Sequence, residues 1–330
     1  MWWSKNPLLS HNAFLNMVLS NRGGGKTYGC TCWGVDDFKK KKKQTVWVRR
    51  YQTEIDEMLK NDKFFDAIRD AYPGDEFKVE GNTGLINGKP AFHFVALSTS
   101  RQLKSNNFPD VNKIIFDEFI IEKGRVTYLK NEVEVFLDLC ETVFRLRDDG
   151  RAVLLANSVT IVNPYFTFFG IKPDKSRRFT VKGQVCVELF TDTDFVQAKK
   201  KTRFGQLIQG TRYAGYAIEN DWLLDNETFI QSKTPKSEFM LGLKYNGIMY
   251  GFWVDYVEGL IFVNNQYDPS SYRLYCLTRE DHDVNLLLVK SITESKAMQR
   301  IVYAFRNGLI RFHDMQVKNQ FYEFIGLFVR

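Results

Sequence analysis

The chain has 330 residues, 44% of them hydrophobic and 26% charged, with a net charge of +7. This is the composition of a globular protein with room for two domains, and the positive balance is compatible with a polyanionic partner. Five cysteines without a C-x-x-C pair and four scattered histidines exclude a disulfide framework and a structural zinc site, and point to a reducing compartment.

In chain order, strands are predicted over 14–20, 45–50, 91–97, 113–117 and 152–157, with 179–189 as a later edge. Helices are predicted between them over 26–38, 54–59, 64–71 and 132–145. Strands alternating with helices imply a largely parallel sheet covered on both faces. Asn87-Gly88 marks a hairpin inserted into that plan. From 192 to 215 the chain is polar and basic, including Lys199-Lys200-Lys201-Thr202-Arg203, and reads as a linker or small lid. Short strands follow over 239–245 and 248–254, joined by Asn246-Gly247, and over 260–264. Helices over 293–306 and 315–328 close the chain. The expected plan is an α/β domain over 1–190, a linker or lid over 191–227 and a smaller α+β domain over 228–330. No internal repeat is visible, and no apolar run reaches the roughly 20 residues that a membrane span needs. Residues 1–7 carry no apolar signal core, so a soluble, intracellular protein with no membrane partner is expected.

The first predicted strand runs into Ser20-Asn21-Arg22-Gly23-Gly24-Gly25-Lys26-Thr27, which differs from the phosphate-loop pattern G-x-x-x-x-G-K-[ST] only at Ser20. Such a loop works by curling consecutive backbone N–H groups around phosphate oxygens at a helix N-terminus, where the helix dipole also favours negative charge. Asn21, Arg22, Gly23, Gly24 and Gly25 would supply that backbone. Lys26 would reach the β- and γ-phosphates of ATP, and the Thr27 hydroxyl would hold Mg²⁺. Ser20 reduces turn freedom, which the three glycines offset. The alternative is a glycine-rich turn with a solvated lysine.

The strand over 113–117 ends in Asp117-Glu118, at the strand end where ligands bind in α/β sheets. Asp117 would belong to the Mg²⁺ shell, and Glu118 would orient and deprotonate the attacking water. A phosphate loop and a strand ending in paired acids within one α/β domain imply ATP hydrolysis. Asn157, ending another strand, either senses the γ-phosphate or caps the strand. Arg145 and Arg147 either reach a neighbouring subunit's nucleotide as arginine fingers or serve the C-terminus of their own helix. Lys104 is a further candidate for the finger role.

The chain resembles, nearly end to end, the DNA-packaging ATPases (encapsidation proteins) of small protein-primed tailed phages of the phi-twenty-nine-like kind. The carriers are Arg22-Gly23-Gly24-Gly25-Lys26-Thr27, Val48-Arg49-Arg50-Tyr51, Ile115-Phe116-Asp117-Glu118-Phe119, Thr142-Val143-Phe144-Arg145, Val162-Asn163-Pro164-Tyr165-Phe166 and Lys201-Thr202-Arg203-Phe204-Gly205. The last two are not general ATPase motifs, which makes the match specific. At Ser20 a glycine is usual in the family.

The resemblance implies an ASCE-type P-loop ATPase domain followed by an RNase H-like domain that has lost its catalytic acids and binds nucleic acid. It implies a homopentameric ring at the portal (connector) vertex of an empty prohead in the host cytoplasm, driving double-stranded DNA inward, with a packaging RNA between motor and portal. It assigns nucleotide binding to Lys26 and Thr27, Mg²⁺ to Asp117 and the catalytic base to Glu118. Arg145 becomes the trans-acting finger and Lys104 a further trans contact. The basic clusters at 39–43, 177–178 and 199–203 are candidates for phosphate contacts, each also readable as a solvated face.

Two other readings stay open from sequence. A large terminase with a working nuclease would draw metal ligands from Asp255, Glu258, Asp268 and Asp283; these acids sit near strand ends or loops without an H-x-E or D-x-D pattern. A non-catalytic nucleic-acid scaffold with a vestigial loop is opposed by the Asp117-Glu118 pair.

Overall fold

The computed structural model describes residues 3–121, 127–157, 163–174, 176–211, 214, 229–289 and 295–325. The chain divides into two compact units, Met1–Leu224 and Asp225–Arg330.

The first unit contains β1 (Leu15–Ser20), β2 (Gln44–Arg49), β3 (Phe77–Glu80), β4 (Thr83–Ile86), β5 (Lys89–Ala96), β6 (Val111–Asp117), β7 (Arg151–Asn157), β8 (Phe179–Lys182) and β9 (Val185–Phe190). They form one nine-stranded sheet in the order β3-β4-β5-β2-β6-β7-β1-β9-β8. The inner strands β5, β2, β6, β7, β1 and β9 are parallel. Antiparallel β3, β4 and β8 finish the two edges.

Parallel strands covered on both faces read as continuous apolar runs, and β7 buries Ala152 through Ala156 without a break. Side chains alternate between two cores. Met17, Leu19, Ile114 and Phe116 face one, with α4 (Glu132–Phe144) packed over it; Val18, Trp47 and Ile115 face the other, with α1 (Lys5–Leu9), α2 (Lys26–Lys41) and α3 (Gln52–Leu59).

Three expectations are corrected here. The single edge expected over 179–189 is the β8–β9 hairpin, turned at Gly183 with a left-handed φ of 56°. The helix expected over 64–71 lies in a 3₁₀ stretch, Lys60–Ala71, broken by left-handed Asn61 and Asp62. The boundary at 190 also moves. Residues Thr193–Lys201 and Arg203–Ile208 are helical and group with the first unit. Asp192 caps the former by accepting the Asp194 and Phe195 N–H groups, and Val196 enters the core beside α4. Residues 212–213 and 215–227 of the expected linker lie outside the described residues.

The second unit is a six-stranded sheet ordered β14-β13-β10-β11-β12-β15. The strands are β10 (Glu238–Tyr245), β11 (Ile248–Asp255), β12 (Leu260–Asn264), β13 (Leu274–Cys276), β14 (Leu287–Leu288) and β15 (Ile310–Phe312). β10, β11 and β12 are antiparallel neighbours, while β13 runs parallel to β10 and β14 to β13. Read from β12, the third, second and first strands are followed by the fourth and fifth, the order of an RNase H-like sheet, with β15 added outside β12. Helices Lys296–Arg306 and Met315–Ile325 cover it, packing Ile301, Phe321 and Phe324 with Phe252 and Val263. The expected helix limits at 293 and 328 lie outside the described residues.

Helix α2 lies close against the sheet at Gly34. A Cβ there would lie 2.5 Å from the Phe92 ring and 3.0 Å from Thr45 Oγ1. Phe92 is itself locked among the Phe64 and Phe65 rings. Gly34→Ala should therefore destabilise the protein by about 1–3 kcal/mol through overpacking, read as a lower urea midpoint. An unchanged midpoint would show that the helix rides outward without cost.

Candidate active site

Strand register assembles the site. β7 lies between β1 and β6, pairing Asn157 with Ser20 on one side and Leu155 with Asp117 on the other. The C-terminal ends of three parallel strands thus place Ser20, Asn157 and Asp117 side by side, where open α/β sheets bind ligands.

The loop leaving β1 turns twice through left-handed glycines, Gly23 at φ 88° and Gly25 at φ 82°, before α2 begins at Lys26. Gly24 has ordinary φ but no room for a side chain, since a Cβ would lie 2.8 Å from Ser20 Oγ. Ser20 is thus integrated into the loop. Its buried hydroxyl donates to the Asn21 carbonyl at 2.9 Å and accepts from Lys26 Nζ at 2.6 Å. Lys26 also donates to Asn157 Oδ1 at 3.3 Å and to the Asn21 carbonyl at 3.4 Å. The loop is braced from outside as well. Phe195 lies against Gly23, and Lys199 donates to the Arg22 carbonyl at 3.1 Å.

Beside the lysine, Thr27 Oγ1 stands 3.4 Å from both oxygens of Asp117. Burial pushes the Asp117 carboxyl up, against the pull of Arg49 and Lys26. A buried carboxylate facing a threonine hydroxyl is a hard oxygen set of the kind that suits Mg²⁺, so these residues fit that ion.

Arg49, at the end of β2, was given no role by sequence reasoning. Its guanidinium lies 3.5 Å from Asp117 Oδ2 and 2.7 Å from Glu118 Oε2. Burial works against its charge, but Asp117 and Glu118 more than compensate and hold its proton more firmly than usual. A charge at the C-terminal end of an apolar parallel strand was the available signal. Glu118 is paired with Arg49 while its side chain stays 62% exposed, so its carboxylate is within reach of solvent.

Arg145 and Lys104 are not part of this cluster. Helix α4 begins near the acidic strand end and runs back for 13 residues, or about 20 Å at 1.5 Å per residue. Arg145 follows its last turn and donates to the Asn106 carbonyl at 3.2 Å; Lys104, nearby in sequence, pairs with Asp138 of α4 at 3.5 Å. The two helix-end arginines also differ. Arg147 donates to the carbonyls of Val143, Phe144, Phe108 and Pro109, and is the cation that serves the helix C-terminus. Arg145 is exposed.

Two basic clusters are substantially neutralised in place. Lys39 pairs with Asp75, Lys41 with Asp37 and Lys43 with Asp149; Arg177 pairs with Asp174 and Arg178 with Glu188. In the second unit, Asp255 accepts the Val257 and Glu258 N–H groups, Asp268 that of Ser270 and Asp283 that of Asn285. Each of these acids closes a turn. Among the described residues no three His, Cys, Asp or Glu side chains converge as metal ligands.

Fold and site together define a P-loop ATPase. The profile of the podovirus DNA encapsidation protein (Gp16) family matches residues 1–328. A DNA packaging protein of Bacillus phage phi29 is 36% identical over 323 residues, covering 98% of this chain and 96% of that one. Among solved structures, a chain of the bacteriophage Phi-29 viral genome packaging motor assembly superposes with a TM-score of 0.81 at 35% identity, covering 98% of each chain. The N-terminal domain of the DNA packaging ATPase from bacteriophage phi29 aligns with a TM-score of 0.55 at 38% identity, over 59% of this chain and 98% of that one. The chain belongs to the podovirus DNA encapsidation (Gp16) family, as its motifs indicated.

Lys26→Ala should weaken ATP binding and abolish hydrolysis, because the β/γ-phosphate charge loses its main partner while Ser20 and Asn157 lose theirs. Unchanged turnover in a phosphate-release assay would move the phosphate site away from this loop.

Proposed function

We propose that this chain is an ATP-driven double-stranded DNA translocase that packages a viral genome into an empty prohead. One observation carries the reading: Lys26, Thr27, Asp117 and Asn157 converge at one end of a parallel sheet, in a chain whose family match runs from residue 1 to 328. The relatives' own descriptions, a DNA packaging protein and a genome packaging motor, support the work to which hydrolysis is coupled.

In this account the backbone N–H groups of Asn21, Arg22, Gly23, Gly24 and Gly25 cradle the phosphates of ATP, and Lys26 exchanges Ser20 and Asn157 for β- and γ-oxygens. Asn157 gives up Lys26 in that exchange and registers the γ-phosphate. Thr27 and Asp117 would hold Mg²⁺, which would supply neutralisation of phosphate charge when bound. Glu118 leaves Arg49 to accept the proton of the attacking water, and Arg49 stays beside Asp117. Arg145, at the far end of α4, acts on the nucleotide of the next subunit, with Lys104 as a further contact on that face.

A homopentameric ring at the portal (connector) of the prohead, working in the host cytoplasm and joined by a packaging RNA, is the assembly that the family resemblance supports. The second unit serves as a nucleic-acid-binding domain, and the turn-capping duties of Asp255, Asp268 and Asp283 support the loss of nuclease chemistry. The full chain should leave plasmid DNA intact in Mg²⁺ or Mn²⁺; nicking that disappears on Asp255→Asn would restore the terminase reading.

Glu118→Gln keeps the side-chain shape and removes the base. ATP should bind with near-normal affinity while turnover falls by about 10²–10⁴-fold. Loss of binding instead would place Glu118 among the metal ligands.

Arg145→Ala subunits keep an intact loop and acidic pair, so they should bind ATP yet lose about 10³–10⁵-fold in rate. Mixed with Lys26→Ala subunits, they should recover hydrolysis at interfaces where the latter supply the arginine. Co-assembly without any recovery would confine Arg145 to its own subunit.

A further inference from the structure

Glu118 is held at φ 62°, in the left-handed region that a residue with a full side chain avoids. Such a conformation persists only where its surroundings over-determine it. From the β7 side, Phe119 N–H donates to the Leu155 carbonyl at 3.1 Å. From the β2 side, Arg50 donates through Nη1 to the Glu118 carbonyl at 3.3 Å and through Nη2 to the Phe119 carbonyl at 2.7 Å. Arg50 is in turn gripped in a fork. Its Nε and Nη2 reach the two oxygens of Glu132 at 2.7 and 3.0 Å, and the Tyr165 hydroxyl donates to the same carboxylate at 3.1 Å.

Arg50 and Glu132 are each 2% exposed and Tyr165 is fully buried. A buried ion pair stabilises a fold poorly compared with apolar packing, and its best-attested use is to fix one arrangement. Consecutive arginines thus divide the glutamate between them: Arg49 takes the carboxylate and Arg50 the backbone.

We propose that Arg50, clamped by Glu132 and Tyr165, is a positioning residue that holds the Glu118 backbone fixed while its carboxylate changes partner. The proposal rests on the reading of Glu118 as the base. The carboxylate is free to swing from Arg49 towards a water, and the anchored backbone makes that swing end at the same place in every cycle. Tyr165 belongs to the Asn163-Pro164-Tyr165-Phe166 stretch, whose position in the sequence gives no hint of this duty. Helix α4, which starts at Glu132, is built into the same clamp.

The test is a kinetic cycle on the full-length protein. Lysine at 50 keeps the charge but lacks the fork, so it cannot hold the carboxylate and both carbonyls together. Arg50→Lys and Glu132→Gln should bind an ATP analogue within about three-fold of wild type and keep KM. Their kcat should fall by about 10–100-fold, the scale of a small misplacement of a reacting group. In a Glu118→Gln background the same changes should lower the residual rate no further, because the clamp acts only through Glu118. A kcat within two-fold of wild type in Arg50→Lys, or equal losses in both backgrounds, would overturn the clamp.

If Arg50→Lys fails to fold, Tyr165→Phe goes through the same cycle, since it removes only one hydroxyl. It should lose about 3–10-fold in kcat, the worth of one hydrogen bond, and nothing in the Glu118→Gln background; unchanged kcat overturns the proposal. Wild-type turnover by Glu118→Gln alone would instead remove the base assignment, which is a separate failure.

Discussion

The parallel register of β7 against β1 on one side and β6 on the other is the constraint on which the site depends. Side chains alternate along a strand, so a slip of one residue would turn Asp117 or Asn157 onto the opposite face of the sheet. The ladders pair Ser20 with Asn157 and Asp117 with Leu155 along strands whose apolar side chains are buried on both faces. A shift would mismatch the side chains packed in both cores and draw the charged strand ends towards them. The hydrophobic effect thus fixes polar geometry at the strand ends without any polar group having to specify it.

That geometry gathers charge in a confined place, where each buried ion needs a partner. Lys26 has Ser20 and Asn157 among its partners, Asp117 has Arg49 and Thr27, and Arg50 has Glu132. These contacts are also what an incoming nucleotide can exchange. In the proposed function, a triphosphate competes with Ser20 and Asn157 for the lysine, and an attacking water competes with Arg49 for Glu118. Helix α4 spans about 20 Å, one end tied to Glu118 through Glu132 and Arg50, the other carrying Arg145. In the proposed ring, a single rigid helix joins each subunit's own acidic loop to the arginine which that subunit offers to its neighbour's site.

Much of this was legible in the sequence. The phosphate loop and the acidic strand end are local patterns, in which an apolar run of the right length meets glycine or paired acids. The long strands and α2, α3 and α4 follow from the same periodicity. Other features depend on contacts distant in sequence. Arg49 and Arg50 look alike until β6 and α4 are in place around them. Arg145 and Arg147 separate only because the carbonyls of Phe108 and Pro109 take up the second. Thr193–Lys201 was read as linker because its lysines outweigh one buried valine, and β13, β14 and β15 are too short to show a period. Ser20 looked like a defect in the loop; the structure uses its hydroxyl to seat Lys26, and that same hydroxyl leaves Gly24 no alternative.

The central claim is that each nucleotide site is completed by two subunits. It is tested most directly by imaging the prohead-bound ring with a slowly hydrolysed ATP analogue at a resolution that shows side chains. The account predicts Lys26 on the β- and γ-phosphates of its own subunit's nucleotide. It also predicts that the adjacent subunit's Arg145 has left Asn106 and lies within about 4 Å of a γ-phosphate oxygen, the range of an ion pair. A nucleotide bound away from residues 20–27, or every Arg145 still resting on Asn106 with the γ-phosphate served only from its own subunit, would contradict it.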